Sequence, residues 1–192
     1  MLTPALLLTA YSQGIFPMAD AHGRLHWYDP NPRAVLPLAD FHTPRRLQRV
    51  VEQRKFDIRF DSAFPDVIAA CAKPAPGRED TWINPDILAA YTQLHALGYA
   101  HSVEAWQAGC LVGGLYGVAL HGLFAGESMF SQVTDASKVA LVHLVTHIRA
   151  RGFALLDVQY VTSHLGQFGA VELSRAEYRR RLQAALDLAV TF

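Results

Sequence analysis

The stretch that decides the fold runs from Ala100 to Phe130 and reads AHSVEAWQ, AG, CLVGGLYGVAL, HG and LFAGESMF in order. Its apolar-rich runs have the length of strands, and the dipeptides Ala108-Gly109 and His121-Gly122 separate them. Short glycine-containing turns between such runs are typical of antiparallel hairpins. The sequence therefore predicts an antiparallel meander with strands at Ala100–Gln107, Cys110–Leu120 and Leu123–Phe130.

Helix signals lie on both sides of this meander. Asn84-Pro85 places a capping residue before a proline at the first helical position, and Gly98 ends that helix. Downstream, Thr134 or Asp135 can cap a long helix that ends near Arg151-Gly152.

The remaining C-terminal signals complete the fold class. Ala154–Tyr160 is an apolar run of strand length, and Ser174 with Glu177 forms a capping box for a last helix. We therefore predict an α+β fold with a mixed, mainly antiparallel sheet and flanking helices.

The first 55 residues carry weaker signals and predict a small N-terminal domain. Thr3 and Pro4 favour a short helix that stops at Gly14. The segment from Tyr11 to about Thr43 is rich in glycine and proline, which predicts an irregular, turn-rich structure. Thr43-Pro44 then opens a basic helix through about Gln53.

Residues 56–192 are predicted to form the main domain. Phe56–Phe60 alternates like a strand, and Ser62 can cap a helix through Ala72. Lys73–Asp80 is rich in proline, glycine and charge and predicts a loop.

Composition limits the functional classes. The chain has 192 residues, 51% of them hydrophobic, with a formal net charge of zero and a pI near 7.1. No global positive field indicates nucleic-acid binding, so such binding needs a local basic patch. Cys71 and Cys110 show no metal-ligand spacing, and no apolar run approaches the roughly 20 residues of a membrane span. We expect a reduced, cytoplasmic protein without membrane contact.

Three polar residues sit in apolar strand contexts. Glu127 lies among glycines and large apolar side chains, and a buried carboxylate there needs a donor or a cationic ligand. Asp157 and Gln159 are two positions apart on one strand, which predicts that they share a face while Val158 points into the core. Such a carboxylate–amide pair either orients an amine nucleophile or closes a structural hydrogen-bond network.

Other candidates are weaker. His143 and His147 have helical spacing but lack the glutamate of the zinc-protease motif, so we expect no metal. Ser128 lacks the Gly-x-Ser-x-Gly context of a nucleophile elbow. Two basic clusters form a phosphate track if they converge in space; their members are Arg45, Arg46, Arg49, Arg54 and Lys55, and Arg175, Arg179, Arg180 and Arg181.

A set of short motifs resembles the leucyl/phenylalanyl-tRNA–protein transferase family in order and spacing over about residues 11–185. The motifs are Gly14–Pro17, Trp27–Val35, Thr81–Ile83, His101–Glu104, Val112–Gly114, Tyr116–Val118, Gly126–Ser131, Ala136–Lys138 and Asp157–Gln159.

The resemblance implies a fold similar to the acyl-CoA N-acyltransferases, with an N-terminal domain packed on it. It implies transfer of Leu, Phe or Met from aminoacyl-tRNA to the N-terminal Arg or Lys of acceptor proteins, which marks them for N-degron proteolysis in bacteria. It implies no cofactor or metal, and we expect a monomer.

The resemblance also implies roles for individual residues. Asp157 and Gln159 match the polar pair at the reacting groups, and Glu127 is implied to meet the amino or ribose end of the substrate. Arg45, Arg46 and Arg49 are our candidates for tRNA contact. The aminoacyl pocket is implied for Met18, Trp82, Leu115, Phe124, Met129 and Leu156. Asp157 acts either as general base or as the binder of the acceptor's positive charge.

The sequence departs from the family pattern in three places. Met18 stands where a tryptophan is common, and Thr162 stands where an asparagine is frequent. The N-terminal domain also looks trimmed. These departures bear on side-chain preference and tRNA affinity more than on reaction class.

Two other functions stay open from sequence. An acyl-CoA-dependent N-acetyltransferase on the same fold needs a glycine-rich turn that opens a helix, and Gly166–Ala170 has the wrong spacing for it. A non-catalytic tRNA-binding protein would not need Asp157, Gln159 and Glu127 together.

Overall fold

A computed structural model of the chain describes residues 2–74 and 81–192, so the predicted loop Lys73–Asp80 falls largely outside the described residues. The helices are α1 (Pro4–Ser12), α2 (Arg45–Glu52), α3 (Phe64–Ala72), α4 (Pro85–Ala96), α5 (Ala136–Ala150), α6 (Ser163–Gly166) and α7 (Arg175–Leu186). The strands are β1 (Phe16–Ala19), β2 (Leu25–Tyr28), β3 (Arg33–Leu36), β4 (Asp57–Phe60), β5 (Ala100–Gln107), β6 (Cys110–Leu120), β7 (Leu123–Ser131), β8 (Leu155–Gln159) and β9 (Val171–Leu173).

The large sheet confirms the predicted mixed, mainly antiparallel α+β class. Its strand order is β4-β5-β6-β7-β8-β3-β9, and β1 pairs with β2 in a separate two-stranded sheet. The β7–β8 pair is parallel, whereas the other pairs of the large sheet are antiparallel. Because α5 connects β7 to β8, this parallel crossover puts a helix across one face of the sheet.

The predicted meander is confirmed at β5, β6 and β7. Ala108 and Gly109 have φ values of 50° and 77°, and His121 has a φ of 53°. Left-handed residues at these turns match the twist of the strands they join.

Three predicted helix caps are confirmed. The Leu6 amide donates to Thr3 Oγ1 at 3.3 Å, the Ile87 amide to Asn84 Oδ1 at 2.9 Å, and the Glu177 amide to Ser174 Oγ at 3.3 Å.

The predicted cap of α3 by Ser62 is wrong. The helix begins at Phe64, and the buried Glu104 accepts hydrogen bonds from the backbone amides of Ser62 at 2.9 Å and Ala63 at 3.0 Å. A carboxylate is favoured at a helix N-terminus because it meets free amides and the positive end of the helix dipole. Glu104 comes from β5, so this cap depends on tertiary contact.

The turn-rich segment from Tyr11 to Thr43 is more regular than predicted. It holds the β1–β2 hairpin and β3, and β3 lies inside the large sheet between β8 and β9. Each of these three strands has only four residues. Runs this short, with prolines and glycines between them, show no strand pattern in the sequence. The boundary at residue 55 stays a prediction, although β3 ties residues 33–36 to the main sheet.

Helices cover both faces of the large sheet. On one face Val139, Leu144 and Ile148 of α5 join a core with residues of β5 to β8. On the other face, α3 and α4 pack with α1 against the sheet, through Val67, Tyr91 and other buried side chains. Within the described ranges, no helix is long and apolar enough to span a membrane.

Candidate active site

A cavity of about 420 Å³ opens where β1, β7, β8, α5 and α6 meet. Its apolar wall combines residues from strands, from α5 and α6, and from the segment before α4. The apolar side chains that border it are Phe16, Met18, Trp82, Leu115, Met129, Phe130, Leu141, Leu144, Leu156, Val158 and Leu165.

This wall includes five of the six predicted pocket residues, namely Met18, Trp82, Leu115, Met129 and Leu156. Leu141 and Leu144 were missed by sequence reasoning. They are three positions apart on α5 and so share one helix face, which is the signal that would have found them.

Phe124 is a correction, because the structure places it away from the cavity. The side chain is fully buried, and its ring lies over Gly117, where an added Cβ would be 2.5 Å from Phe124 Cε1. Its centroid is 5.5 Å from that of Phe192. Because Gly117 has no side chain, the ring of Phe124 can fill this space in the core.

Glu127 borders the cavity from a β-bulge in β7. Tyr116 pairs with Ser128 and Gly117 pairs with Gly126, so Glu127 is the extra residue between them. A bulge re-aims a side chain out of the regular alternation.

The Glu127 carboxyl is held by two tyrosines beneath the cavity. Tyr11 Oη donates to Glu127 Oε1 at 2.6 Å, Tyr91 Oη lies 3.5 Å from Glu127 Oε2, and the two hydroxyls hydrogen-bond each other. Burial raises the pKa of Glu127 to about 8, with a contribution from the Asp157 charge, although Tyr11 and Arg33 oppose the rise. Glu127 therefore titrates near neutral pH, which is unusual for a carboxyl.

Asp157 lies in the middle of β8 and is enclosed by hydrogen-bond donors. Arg33 Nε and Nη2 donate to its two carboxylate oxygens at 2.9 and 2.6 Å, and both side chains are 1% exposed. Tyr178 Oη donates at 2.9 Å and the Gln159 backbone amide at 3.0 Å. The residue does not appear among those that border the cavity.

This placement corrects the predicted common face of Asp157 and Gln159. Gln159 has a φ of 62°, a left-handed conformation that ends the regular alternation of β8. Val158 and Gln159 consequently both border the cavity, while Asp157 lies behind them. The oxygens of Asp157 already accept four hydrogen bonds from the protein itself.

Sequence reasoning missed Arg33, the ion-pair partner of Asp157. Its guanidinium also donates to the Gly14 carbonyl at 2.8 Å and lies 4.7 Å from the ring centroid of Phe16. Burial lowers the pKa of Arg33, but the hydrogen bonds and charge of Asp157 outweigh that effect and raise it overall. An arginine that opens the apolar run Arg-Ala-Val-Leu is itself a signal for a buried carboxylate.

Gln159 offers its amide to the cavity. The residue is 8% exposed, and its Nε2 is buried with no hydrogen-bond partner in the part of the chain that the structure describes. His164, at another part of the cavity wall, also has a buried Nε2 with no hydrogen-bond partner among the described residues. Burial lowers the pKa of this histidine. An unsatisfied buried polar atom is costly, so both atoms are suited to a ligand.

The basic helix α2 contacts α5, whose first half borders the cavity. Arg46 makes two hydrogen bonds to Asp135, at 2.8 and 2.7 Å, and Asp135 precedes α5, which supplies Ser137 and Leu141 to the cavity wall. Arg45 and Arg49 are exposed. The second basic cluster is paired with acids, since Arg175 and Arg179 contact Asp29 and Arg180 and Arg181 contact Glu177.

The sequence raised two other kinds of site, a metal site at His143 and His147 and a pyrophosphate site at Gly166–Ala170. The rings of Phe60 and Phe192 pack against His147, and residues 2–74 and 81–192 hold no group of three potential metal ligands. The turn Gly166–Ala170 leads from α6 into β9 and opens no helix for a pyrophosphate.

A cavity with an apolar wall, an unpartnered amide and a buried carboxyl is the kind of site that an acyl-transferring enzyme needs. The family model described as leucyl/phenylalanyl-tRNA protein transferase matches residues 35–183, and the model for the N-terminal domain of that family matches residues 1–31. The chain therefore belongs to the leucyl/phenylalanyl-tRNA–protein transferases, which are aminoacyltransferases.

Close relatives carry the same description. A protein from Herpetosiphon aurantiacus is 55% identical over 192 residues, which is 100% of this chain and 98% of the relative. One from Phenylobacterium zucineum is 58% identical over 188 residues, covering 97% of this chain and 85% of the relative.

Solved structures show weaker likeness. A GCN5-related glucosamine N-acetyltransferase region of a fungal multi-domain protein has a TM-score of 0.49 at 12% identity, covering 77% of this chain and 20% of that one. The C-terminal domain of a putative lysylphosphatidylglycerol synthetase from Agrobacterium fabrum has a TM-score of 0.44 at 14% identity, covering 97% of this chain and 60% of that one. The family assignment rests on sequence.

Proposed function

We propose that this enzyme transfers Leu, Phe or Met from aminoacyl-tRNA to the N-terminal Arg or Lys of acceptor proteins, and that the reaction takes place in the 420 Å³ cavity. The observation that carries the proposal is the meeting of a leucine-rich wall with the unpartnered Gln159 amide and the Glu127 carboxyl in one cavity.

The apolar wall suits the aminoacyl side chain. A hydrophobic pocket separates substrates that differ by one methylene by only about 1–3 kcal/mol, so one pocket accepts Leu, Met and Phe. Charged side chains are excluded because their desolvation is costly and this wall offers them no partner.

The reaction is aminolysis of an activated ester. The acceptor's α-amine attacks the ester carbonyl carbon, a C–N bond forms, and the C–O bond to the terminal ribose breaks. The amine loses a proton, and the ribose oxygen leaves with one. Orienting the amine against the carbonyl supplies roughly 7–11 kcal/mol in favourable cases, and an α-amine with a pKa of about 8 is partly neutral near pH 7.

Gln159 is the group we place at the carbonyl. Its free Nε2–H can donate to the oxygen on which negative charge develops, and a donor preorganised in this way needs no reorientation during reaction. Asp157, by accepting from the Gln159 backbone amide at 3.0 Å, is a positioning residue in this proposal. We do not assign Asp157 the role of general base, because Arg33 and Tyr178 already donate hydrogen bonds to its oxygens.

Glu127 is the group we place at the acceptor's positive charge or the substrate's amino end. With a pKa of about 8 it is largely protonated at pH 7 in the free enzyme. A cation bound beside it favours the carboxylate, because an opposite charge lowers the pKa of an acid. Binding of a cationic acceptor is thus expected to release a proton.

The exposed Arg45 and Arg49 of α2, with Arg46, are proposed to meet tRNA phosphates beside the cavity. We also place the enzyme in the cytoplasm, where charged tRNA is available, and propose that it acts as a monomer. Modified acceptors would then enter N-degron proteolysis.

The deciding experiment measures transfer of labelled leucine or phenylalanine from charged tRNA to a peptide that begins with arginine. A peptide that begins with alanine is the matched control, and the Gln159→Gly variant tests the site. Transfer that requires the arginine and collapses in the variant supports the proposal. No transfer from any charged tRNA by a folded enzyme contradicts it, and protection from heat unfolding by acetyl-CoA would then favour acyl-CoA chemistry.

A further inference from the structure

His164 brings an imidazole ring to the wall of the cavity. It lies in α6 and borders the cavity together with its neighbour Leu165. Its Nε2 is buried and has no hydrogen-bond partner within residues 2–74 and 81–192. Of the described residues that border the cavity, His164 is the one histidine. The cavity therefore holds a ring nitrogen that the described fold leaves free for a ligand.

The surroundings of His164 favour the neutral ring. Burial is the larger cause of a lowered pKa, and the positive charge of Lys138 on α5 is the smaller one. On its other side the ring packs near Phe168, with centroids 5.9 Å apart. At pH 7 the imidazole is thus mostly neutral, and in the tautomer that carries its hydrogen on Nδ1 the lone pair of Nε2 can accept a proton.

The two carboxyls of the site are already engaged. Asp157 accepts four hydrogen bonds from the protein and does not border the cavity. Glu127 borders the cavity, but it accepts a hydrogen bond from Tyr11 at 2.6 Å and is assigned above to a positive charge of the substrates.

The position of His164 suits a proton acceptor. A general base must reach the proton directly or through one water. A cavity of about 420 Å³ holds a single small ligand. A reacting group that fills this cavity and meets the Gln159 amide therefore also lies against the His164 part of the wall.

We propose that His164 is a catalytic residue of the transfer, which takes a proton from the attacking amine and passes it to the leaving ribose oxygen. The inference rests on the proposed function, since it assigns one step of the same reaction to the same cavity.

The step balances without a further reactant. The neutral α-amine attacks the ester carbonyl carbon, and the nitrogen of the new C–N bond becomes positively charged. His164 Nε2 removes a proton from this nitrogen, which leaves an imidazolium ion. The imidazolium then gives the proton to the ribose oxygen as the bond from that oxygen to the carbonyl carbon breaks. The histidine returns to its neutral form.

The test follows single-turnover transfer of labelled phenylalanine from Phe-tRNA to a peptide that begins with arginine. We expect the maximal rate of His164→Gln to fall about 10²- to 10⁴-fold, while the half-saturating concentrations of tRNA and peptide stay as in the wild type. The matched control is His143→Gln, because His143 is also half-buried and has a pKa lowered by burial but does not border the cavity. Its rate should equal that of the wild type.

Rescue of His164→Ala by added imidazoles separates proton transfer from the filling of space. 4-Methylimidazole and 4-bromoimidazole are similar in size, but the methyl compound is much the stronger base. At equal concentrations of the neutral form, the methyl compound should restore transfer about tenfold faster, since the rate of proton transfer follows the strength of the base.

A wild-type rate in His164→Gln would overturn the inference. Equal rescue by the two imidazoles would also overturn it, because the ring would then only fill space. A loss confined to the half-saturating concentration of one substrate would do the same, since His164 would then bind that substrate without moving a proton. Transfer by the wild type is measured in the same assay, so failure of the proposed function is seen separately. Thermal unfolding shows whether each variant is intact, and His164→Asn replaces His164→Gln if the latter is unfolded.

Discussion

Arg33 binds both carboxylate oxygens of Asp157, at 2.9 and 2.6 Å, across 124 residues of sequence. The pair lies directly behind Gln159 and ties the first strand of the large sheet in sequence, β3, to β8. Because neither side chain is exposed, the pair supports the site and does not meet the solvent.

Loss of the arginine should destabilise the protein. Arg33→Leu leaves a buried carboxylate without a cation, and we expect the free energy of unfolding to fall by about 3–5 kcal/mol in urea denaturation. The matched control is Arg180→Leu, which removes an ion pair whose arginine side chain is 71% exposed and should leave the stability almost unchanged. An Arg33→Leu variant as stable as the wild type would contradict a stabilising role for this buried pair.

The Gln159 amide should contribute to catalysis and not to folding. Gln159→Gly removes the amide yet accepts the φ of 62° without strain. We expect kcat to fall about 10²- to 10³-fold, as when one oxyanion donor is removed, with little loss of stability. Gln159→Ala should show the same kcat as Gln159→Gly but be about 1–2 kcal/mol less stable than it, because alanine keeps the left-handed strain that Gln159 already carries. A wild-type kcat in Gln159→Gly would show that the Gln159 side chain takes no part in the reaction.

Glu127 should make stability fall as the pH rises. Its pKa is about 8 in the fold, against 4.5 for the ordinary group, so the folded state holds a proton that the unfolded state has lost between these values. The free energy of unfolding should then decrease between pH 4.5 and 8, by at most about 1.4 kcal/mol per pH unit.

The matched variant for this effect is Glu127→Gln, which keeps the size of the side chain and removes the titration. Its unfolding free energy should lose this component of the pH slope, and the variant should exceed the wild type most near pH 8. Urea titrations at several pH values measure both proteins. Parallel pH profiles would show that Glu127 is already ionised at neutral pH in the fold.

The α2 arginines should set the salt dependence of tRNA binding. Replacing Arg45 and Arg49 by glutamate should weaken binding and reduce the slope of log K against log salt by about 1 for each lost phosphate contact. Arg46 is left in place because it also binds Asp135. Reversal of Arg180, already paired with Glu177, is the control. If the α2 variant leaves the salt slope of tRNA binding unchanged, this helix does not contact the tRNA.

The sequence by itself determined what depends on neighbouring residues. The meander follows from the turns at Ala108-Gly109 and His121-Gly122, and the caps at Thr3, Asn84 and Ser174 follow from side chains that reach amides three positions away. These interactions are local, so their pattern is visible in a short window. The family motifs are short as well, but most of the apolar pocket was predictable only through the family resemblance, because its residues are far apart in the sequence.

Only the tertiary structure decided the roles of the polar residues. Glu127 meets Tyr11 and Tyr91 because a bulge turns it out of β7, and Asp157 is closed off by Arg33 from a segment that looked irregular. Regular alternation predicts a shared face for Asp157 and Gln159, but one left-handed residue at the strand end separates them. Bulges, strand ends and pairings across more than a hundred residues depend on how distant segments pack, and no local pattern of residue types encodes that packing.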